Sequence, residues 1–325
     1  MDLFAGQGAY DDGSLSTPLL ILEAAARDHY MREHLITIFN EGDPDTAAKL
    51  EHNIVESLAS KQLRHKPKVT CAKVEEDILH EIGGVPRCPT LLFADPWGYK
   101  GLSLSLLSQF LKGFGNDLIF FFNYKRINSA IVNSVLEEPI DAVFGKTRAD
   151  KLRTDLVGLK GLAREGAILD AVETAFKELG ARSPVRYRFV SDGRSSHYLM
   201  FVSKHELGTD IMKSVMSAES PRDEEGVPTF QFNAEGDCGQ QEMFPVSPLE
   251  DLAEELARKF GGQILSGFTE LYSRSNHPRF GQAEHKKALR ILERKGLLSV
   301  VSYSAKRTER DGELSIPLNA ILMFK

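Results

Sequence analysis

The sequence predicts an α/β protein: a doubly wound, mostly parallel sheet ending in an antiparallel hairpin, followed by a small α+β domain. Three observations predict it. Five short apolar runs in the first 125 residues alternate with segments of helical period. Two β-rich runs near residue 190 are joined by "DGRSS", which is hairpin-turn chemistry. Beyond residue 246 the order changes to three helical stretches and a second hairpin. Strands separated by helices need parallel neighbours with right-handed crossovers, and runs that are apolar throughout suit strands covered on both faces.

Each element has a local reason. "DLFAG" (2–6) is apolar and ends in glycine, a buried strand. The helix over 16–30 starts with Ser16 or Thr17 as N-cap and Pro18 at the first helical position. A strand over 33–43 is rich in β-branched residues, and a helix over 43–63 opens with an Asp cap and Pro44. Then come a strand at 68–74, a short helix at 75–82, an apolar strand at 90–98 that breaks at Pro96, a helix at 103–114 and a strand at 117–123. A long helical region covers 129–180. Strands at 185–191 and 197–203 form the hairpin, and a helix at 208–217 closes the first domain, 1–217. Residues 218–246 hold Pro, Gly and acids with no period and read as a linker or surface excursion. Of the common doubly wound folds, the class I methyltransferase fold, Rossmann-like with a late hairpin, fits this order best.

Composition narrows the class. With 42% hydrophobic and 26% charged residues, the chain is that of a soluble globular protein. No apolar run approaches the roughly 20 residues of a membrane span, and no basic-then-apolar leader is seen, so a cytoplasmic protein without membrane contact is expected. Cys71, Cys88 and Cys238 show no metal-ligand spacing; free thiols and no metal site are expected. The net charge of −6 conceals an asymmetry, because residues 261–325 carry 11 Lys and Arg against 6 Asp and Glu. Local basicity decides where a phosphate backbone docks.

The strand ends carry the candidate chemistry. In open α/β sheets ligands bind at the carboxyl ends of strands, where the strand order reverses. There "DLFAGQG" places Asp2, Phe4, Gly6 and Gly8 at a turn whose glycines let a nucleoside approach the backbone. No GxGxxG is present, which disfavours NAD or FAD; S-adenosylmethionine has no pyrophosphate and needs only a shorter glycine turn. Glu41 ends the second strand, where a carboxylate accepts both ribose hydroxyls of an adenosine; a polar loop and helix cap is the competing reading. Glu75, Glu76 or Asp77 after the third strand reads either as a partner of the adenine amino group or as an acidic first helical turn. "FADPWGYKG" (93–101) is the sharpest feature. Its Asp95-Pro96 followed by aromatics resembles the Asp-Pro-Pro-Tyr motif of amino-methyltransferases. Asp95 and the Pro96 carbonyl would accept the N–H groups of a poorly nucleophilic nitrogen, and Trp97 or Tyr99 would stack on a flipped base. Trp97 and Gly98 stand where that motif has Pro and Tyr, and a strand ending in a Pro-Gly turn is the competing reading. Lys125 and Arg126, after the fifth strand, are candidates for a substrate phosphate.

The stretches "DLFAGQGAYDDG", "LLFADPWG", "HYLMFVSKHELGTDIMKSVM" and "EHKKALRILERKGLLSV" resemble the three-Cys-motif partner proteins of bacteria and their mobile elements. The first two are generic to methyltransferases; the third is more particular. The resemblance implies a methyltransferase-like fold acting on or near DNA and a radical-SAM-like partner that carries the cysteines. By the matching positions Asp2, Gly6 and Gly8 would serve the cofactor and Asp95 the chemistry. Family members carry residues ahead of the glycine strand, so the resemblance implies a truncated start. The expected function is methylation of a nucleic-acid base nitrogen with S-adenosylmethionine; the alternative is a non-catalytic DNA-binding adaptor on the same fold.

The third domain, 247–325, reads as winged-helix-like. Helices at 247–260, 263–275 and 281–296 precede strands at 297–304 and 314–324, with Ser247 and Gly296 as caps. Lys286, Lys287, Arg290 and Arg294 would line one side of the third helix, with Lys306, Arg307 and Arg310 on the wing. Such a face fits DNA, while a protein-docking role and a solvated helix face are the competing readings.

Overall fold

The computed structural model describes residues 1–75, 78–81, 88–96, 103–182, 184–191, 194–223, 227–233, 248–277, 279–301, 307–310 and 313–325. The chain is mixed α/β and divides into two units, residues 1–181 with 196–205, and residues 182–195 with 206–325.

In the first unit the expected helix over 16–30 is two, α1 (Thr17–Arg27) and α2 (His29–His34). Asp28 causes the break. Its backbone is extended, and its side chain accepts from the Met31 amide at 2.8 Å, which starts a second helix. The added turn shortens the following strand, so β1 is Ile38–Asn40 rather than 33–43. Asp43 caps α3 (Pro44–Glu56) as expected, accepting from the Thr46 amide at 2.8 Å. Ser57 then breaks the expected long helix and caps α4 (Leu58–Gln62). There follow β2 (Lys68–Thr70), α5 (Ile78–Glu81), β3 (Leu91–Ala94), α6 (Leu104–Leu111) and β4 (Asp117–Phe122). Four helices, α7 (Tyr124–Ala130), α8 (Glu137–Phe144), α9 (Lys146–Asp155) and α10 (Gly161–Glu178), make up the long helical region. The hairpin strands are β5 (Val185–Ser191) and β6 (Arg194–Val202).

The sheet of this unit is built around residues 1–5. Asp2 N donates to Ile38 O (2.9 Å) and Asn40 N to Asp2 O (2.8 Å) on one side. Leu3 N donates to Phe93 O (3.1 Å) and Phe93 N to Met1 O (2.8 Å) on the other. Both bridges are parallel, so the order is β2, β1, residues 1–5, β3, β4, β6, with β6 alone antiparallel. Strand β4 departs from the expected burial on both faces: Leu118, Phe120 and Phe122 are buried, whereas Ile119 and Phe121 are only half-buried. One face is sealed by Leu107, Phe110, Phe144, Ile168 and Phe176. Phe122 meets Phe120 and Phe144 edge-on at 5.8 and 6.5 Å between centroids. A second cluster of Ala5, Leu22, Phe39, Leu50 and Ile54 holds the α1 and α3 side.

The second unit also takes in residues 182–195 and 206–217. There β5 pairs in parallel with β7 (Gln231–Asn233), and α11 (Glu206–Ala218) leads to Glu219, whose carbonyl accepts from the Tyr187 hydroxyl at 2.8 Å. The expected linker over 218–246 thus contains a strand; residues 234–247, with the expected Ser247 cap and Cys238, lie outside the described residues. α12 (Pro248–Phe260) is followed by β8 (Ile264–Leu265), so the second helix begins late, as α13 (Phe268–Ser275). α14 (Gln282–Arg294) ends where Gly296 takes φ +72°, the left-handed cap expected. β9 (Leu298–Val301), the short β10 (Glu309–Arg310) and β11 (Glu313–Leu314), and β12 (Ile321–Phe324) complete the unit. β12 lies between β8 and β9, antiparallel to both. The core joins Leu252, Leu256, Phe260, Phe268, Leu289, Leu292 and Leu322.

Two histidines of this unit, His285 buried and His277 half-buried, are held neutral. His277 Nδ1 accepts from the Arg279 and Phe280 amides at 3.1 and 3.0 Å. His285 Nδ1 faces the Gly281 carbonyl at 2.8 Å, which fixes the proton there and leaves Nε2 to accept from the Ser275 hydroxyl at 2.9 Å. Burial, then the neighbouring cations, pushes His277 down to about 3 and His285 down to about 4.

Two predictions follow from packing and from proton linkage. Phe122→Ala should cost about 3–5 kcal/mol in urea unfolding, since it opens a cavity between the Phe120 and Phe144 rings. Neutral imidazole is the folded form, so the stability held by His277 and His285 is full above their ordinary 6.5 and is lost as pH falls toward about 4 and about 3. Unfolding free energy should drop by about 1.4 kcal/mol per pH unit per histidine on acidification. A His277→Gln, His285→Gln protein should show a flatter pH profile in the same titration.

Candidate functional site

Residues 1–5 are the point at which the strand order reverses: the chain passes from them to β1 and β2 on one side, then returns to β3 and β4 on the other. In a parallel sheet the loops leaving the carboxyl ends at such a reversal face a common crevice. Here they begin at Phe4, Glu41, Cys71, Asp95 and Asn123.

The glycine turn is conformationally forced. Gly6 and Gly8 have φ of +67° and +87°, a region that costs an L side chain steric energy. A Cβ on Gly6 would meet no atom of the described residues within 4 Å, whereas one on Gly8 would press on Leu50 at 3.1 Å. Gly8 thus also serves packing against α3, where Asn53 donates to the Gln7 carbonyl at 2.8 Å. Among the described residues nothing stands in front of Gly6.

Glu41 holds this turn from the neighbouring strand. Its Oε2 accepts from Gly6 N and its Oε1 from Asp43 N, both at 3.0 Å. Asn40, fully buried, ties three strand ends together. Its Nδ2 donates to the Leu3 and Ala72 carbonyls, and its Oδ1 accepts from Ala72 N and the Thr70 hydroxyl. Sequence reasoning passed over Asn40; the signal was a polar residue closing a β-branched strand, where an unsatisfied amide would be costly.

Asp2 is only 2% exposed and accepts from the Phe4 amide at 3.0 Å. Burial raises its carboxyl to about 6; the Phe4 amide opposes this, and the nearby charges of Asp95 and Glu41 add to it. Asp95 follows β3, and partial burial raises its carboxyl too although part of the residue meets solvent. Among the described residues its carboxylate makes no hydrogen bond or ion pair, and Pro96 beside it is buried. Phe4 packs half-buried on the core. The structure therefore brings Asp2, Gly6, Glu41 and Asp95 to one end of the sheet. Asp77, Trp97 and Tyr99 lie outside the described residues.

Lys125 and Arg126 are exposed at the start of α7, directly after β4. His197, whose ring lies tilted against Phe121 at 4.9 Å, is lowered by its burial and then by these two cations, which puts all four residues at one corner.

The basic face expected on the second unit is largely engaged within the protein. Lys286 Nζ lies 4.9 Å from the centroid of the Phe268 ring, and Arg290 Nε donates to the Leu314 carbonyl at 3.1 Å. Arg307 forms a two-pronged pair with Glu293 and donates to the Ser315 carbonyl at 2.7 Å. Of these three, Arg307 is compensated by a carboxylate, whereas Lys286 and Arg290 keep their charges beside a ring and a carbonyl. Lys287 is half-buried and Arg294 exposed on α14; Lys306 lies outside the described residues.

No family model, curated protein or solved structure matches the chain. Among the described residues no helix is long and apolar enough to cross a membrane.

The raised carboxyl of Asp2 has a measurable consequence. The neutral acid is favoured on folding, so stability is full below 3.8 and is lost as pH rises through about 6. Asp2→Asn keeps an acceptor for Phe4 N and removes the charge. It should raise unfolding free energy by about 1–3 kcal/mol at pH 7 and have little effect near pH 4, read by urea titration.

Proposed function

We propose that the first unit binds S-adenosylmethionine at this crevice and methylates an amino nitrogen of a nucleic-acid base. One observation carries the reading: three carboxylates, Asp2, Glu41 and Asp95, gather beside a glycine turn where no described residue stands in front of Gly6. An acidic, glycine-walled crevice suits a ligand with cationic centres and disfavours a pyrophosphate. The strand order, with residues 1–5 between β1 and β3 and an antiparallel β6, supports the methyltransferase-like reading of the unit.

The residues present fit such a cofactor. Gly6 gives room for close approach, and Glu41 keeps lone pairs beyond those facing Gly6 N and Asp43 N, available to ribose hydroxyls. The cofactor supplies an electrophilic methyl group. Asp95 has no partner among the described residues and accepts an N–H of the substrate amine, and the Pro96 carbonyl accepts the other. Both contacts orient the nitrogen lone pair, which is the task that a weak nucleophile sets. The raised carboxyl of Asp95 makes it a stronger acceptor for the proton that the amine gives up.

A second reading, a non-catalytic adaptor on the same fold, is favoured by Glu41, both of whose oxygens already hold backbone amides. Calorimetric titration with S-adenosylmethionine and with its demethylated product separates the two: absence of heat with both would overturn the catalytic reading. With binding established, Asp95→Ala should reduce methyl transfer to DNA by about 100-fold or more while cofactor affinity stays within about threefold.

A further inference from the structure

We infer that the edge of the first unit formed by residues 27–36 and 61–68 is a docking surface for the sugar–phosphate backbone of a nucleic acid. The inference deepens the nucleic-acid half of the proposed function and rests on it for the class of partner. Nothing in it depends on the cofactor.

The surface begins in the sequence. Between residues 57 and 74 stand Lys61, Arg64, Lys66, Lys68 and Lys73, with no Asp or Glu. In a chain of net charge −6 such a run is a local reversal of sign. The fold then sets it beside a second basic segment. Arg64 N donates to the Arg32 carbonyl at 3.0 Å and Lys68 N to the Thr37 carbonyl at 3.1 Å, and the ladder continues with Ile38 opposite Lys68. Arg32, His29 and His34 of the α1–α2 corner therefore run alongside Arg64, His65 and Lys66.

Three of these cations are presented rather than consumed. Lys61, Arg64 and Lys66 are exposed, and among the described residues none of them has a carboxylate partner. Nearby acids are otherwise occupied: Glu23 pairs with Arg27 at 3.0 Å, and Asp28 caps the Met31 amide. Glu33, half-buried, and Glu56, exposed, are the other carboxylates of these segments. Two intrachain contacts, Lys61 Nζ to the Glu56 carbonyl and Lys66 Nζ to the Lys61 carbonyl, are long at 3.5 and 3.4 Å and leave the ammonium charges uncompensated.

A flat ring completes the surface. Tyr30 is 69% exposed and stacks on His34 with centroids 4.2 Å apart and planes at 18°. A pre-ordered exposed ring beside unpaired lysines is the combination that holds a polyanion with stackable bases: cations meet the phosphates and the ring takes a base face. A nucleic acid uses both features at once, phosphates on the cations and a base face on the ring, so it is the partner these observations favour.

The test is fluorescence anisotropy on the full chain with labelled 30-residue duplex and single-stranded DNA from 50 to 200 mM NaCl. Lys61→Gln, Arg64→Gln, Lys66→Gln should bind at least tenfold more weakly at 100 mM salt. Its slope of log K against log salt should be lower by about 2–3, since three phosphate contacts are lost. Tyr30→Ala should weaken single-strand binding about fivefold or more with the slope kept. All the substituted groups are exposed, so thermal melts should match the wild type. An unchanged slope and affinity in the triple variant would overturn the surface. So would binding by the wild type to vesicles with 30% phosphatidylserine but to neither DNA. Calorimetry with S-adenosylmethionine on the same variants reports on the crevice separately, so failure of the cofactor reading leaves this result standing.

Discussion

The ladder that residues 1–5 make between β1 and β3 is the joint on which the first unit depends. Without Asp2 and Leu3 the parallel sheet would be two pieces, β1 with β2 and β3 with β4 and β6. Five backbone hydrogen bonds close the gap, counting that from Ala5 N to the Asn40 carbonyl. The same ladder fixes where chemistry can occur. It puts the glycine turn between two other strand ends, and it buries the Asp2 carboxyl where an ionised group is disfavoured. Stability is given up where these strand ends meet, because a carboxyl is buried there near two others.

The first unit is polarised by this arrangement. Asp2, Glu41 and Asp95 gather at the carboxyl ends of the strands. Ahead of β2, exposed Lys61, Arg64 and Lys66 gather with no carboxylate partner among the described residues. A negative net charge therefore conveys little about what the surface attracts, because the two signs are sorted to different ends of one sheet. The carboxy-terminal helices show the reverse. There a basic composition coexists with a cation compensated internally, Arg307 by Glu293, so charge counting overstates the cationic surface.

Local signals were read most reliably where one residue type has one conformational use. The Asp43-Pro44 helix start, the left-handed Gly6, Gly8 and Gly296, and the order of strands and helices were legible because caps, prolines and glycines act within a few residues. Asp28 and Ser57 were missed as helix breaks because their apolar surroundings keep a helical period on both sides, and only the side-chain caps end the turn. The strand at 231–233 was missed because three residues in a polar stretch carry no period of their own; the ladder with β5 makes them a strand.

The sequence by itself determined the α/β alternation, the glycines at the crevice and the carboxylates at the strand ends, since these rest on covalent geometry and on the hydrophobic pattern. Tertiary structure alone decided what those groups face. Glu41 became a brace for Gly6, Asn40 a tie across three strands, Arg307 a partner of Glu293, and two basic segments some thirty residues apart became one edge. The reason is that charge and hydrogen-bonding capacity belong to a residue, whereas the partner that satisfies them is chosen by distance, and distances across a sheet exist only once the strands have paired.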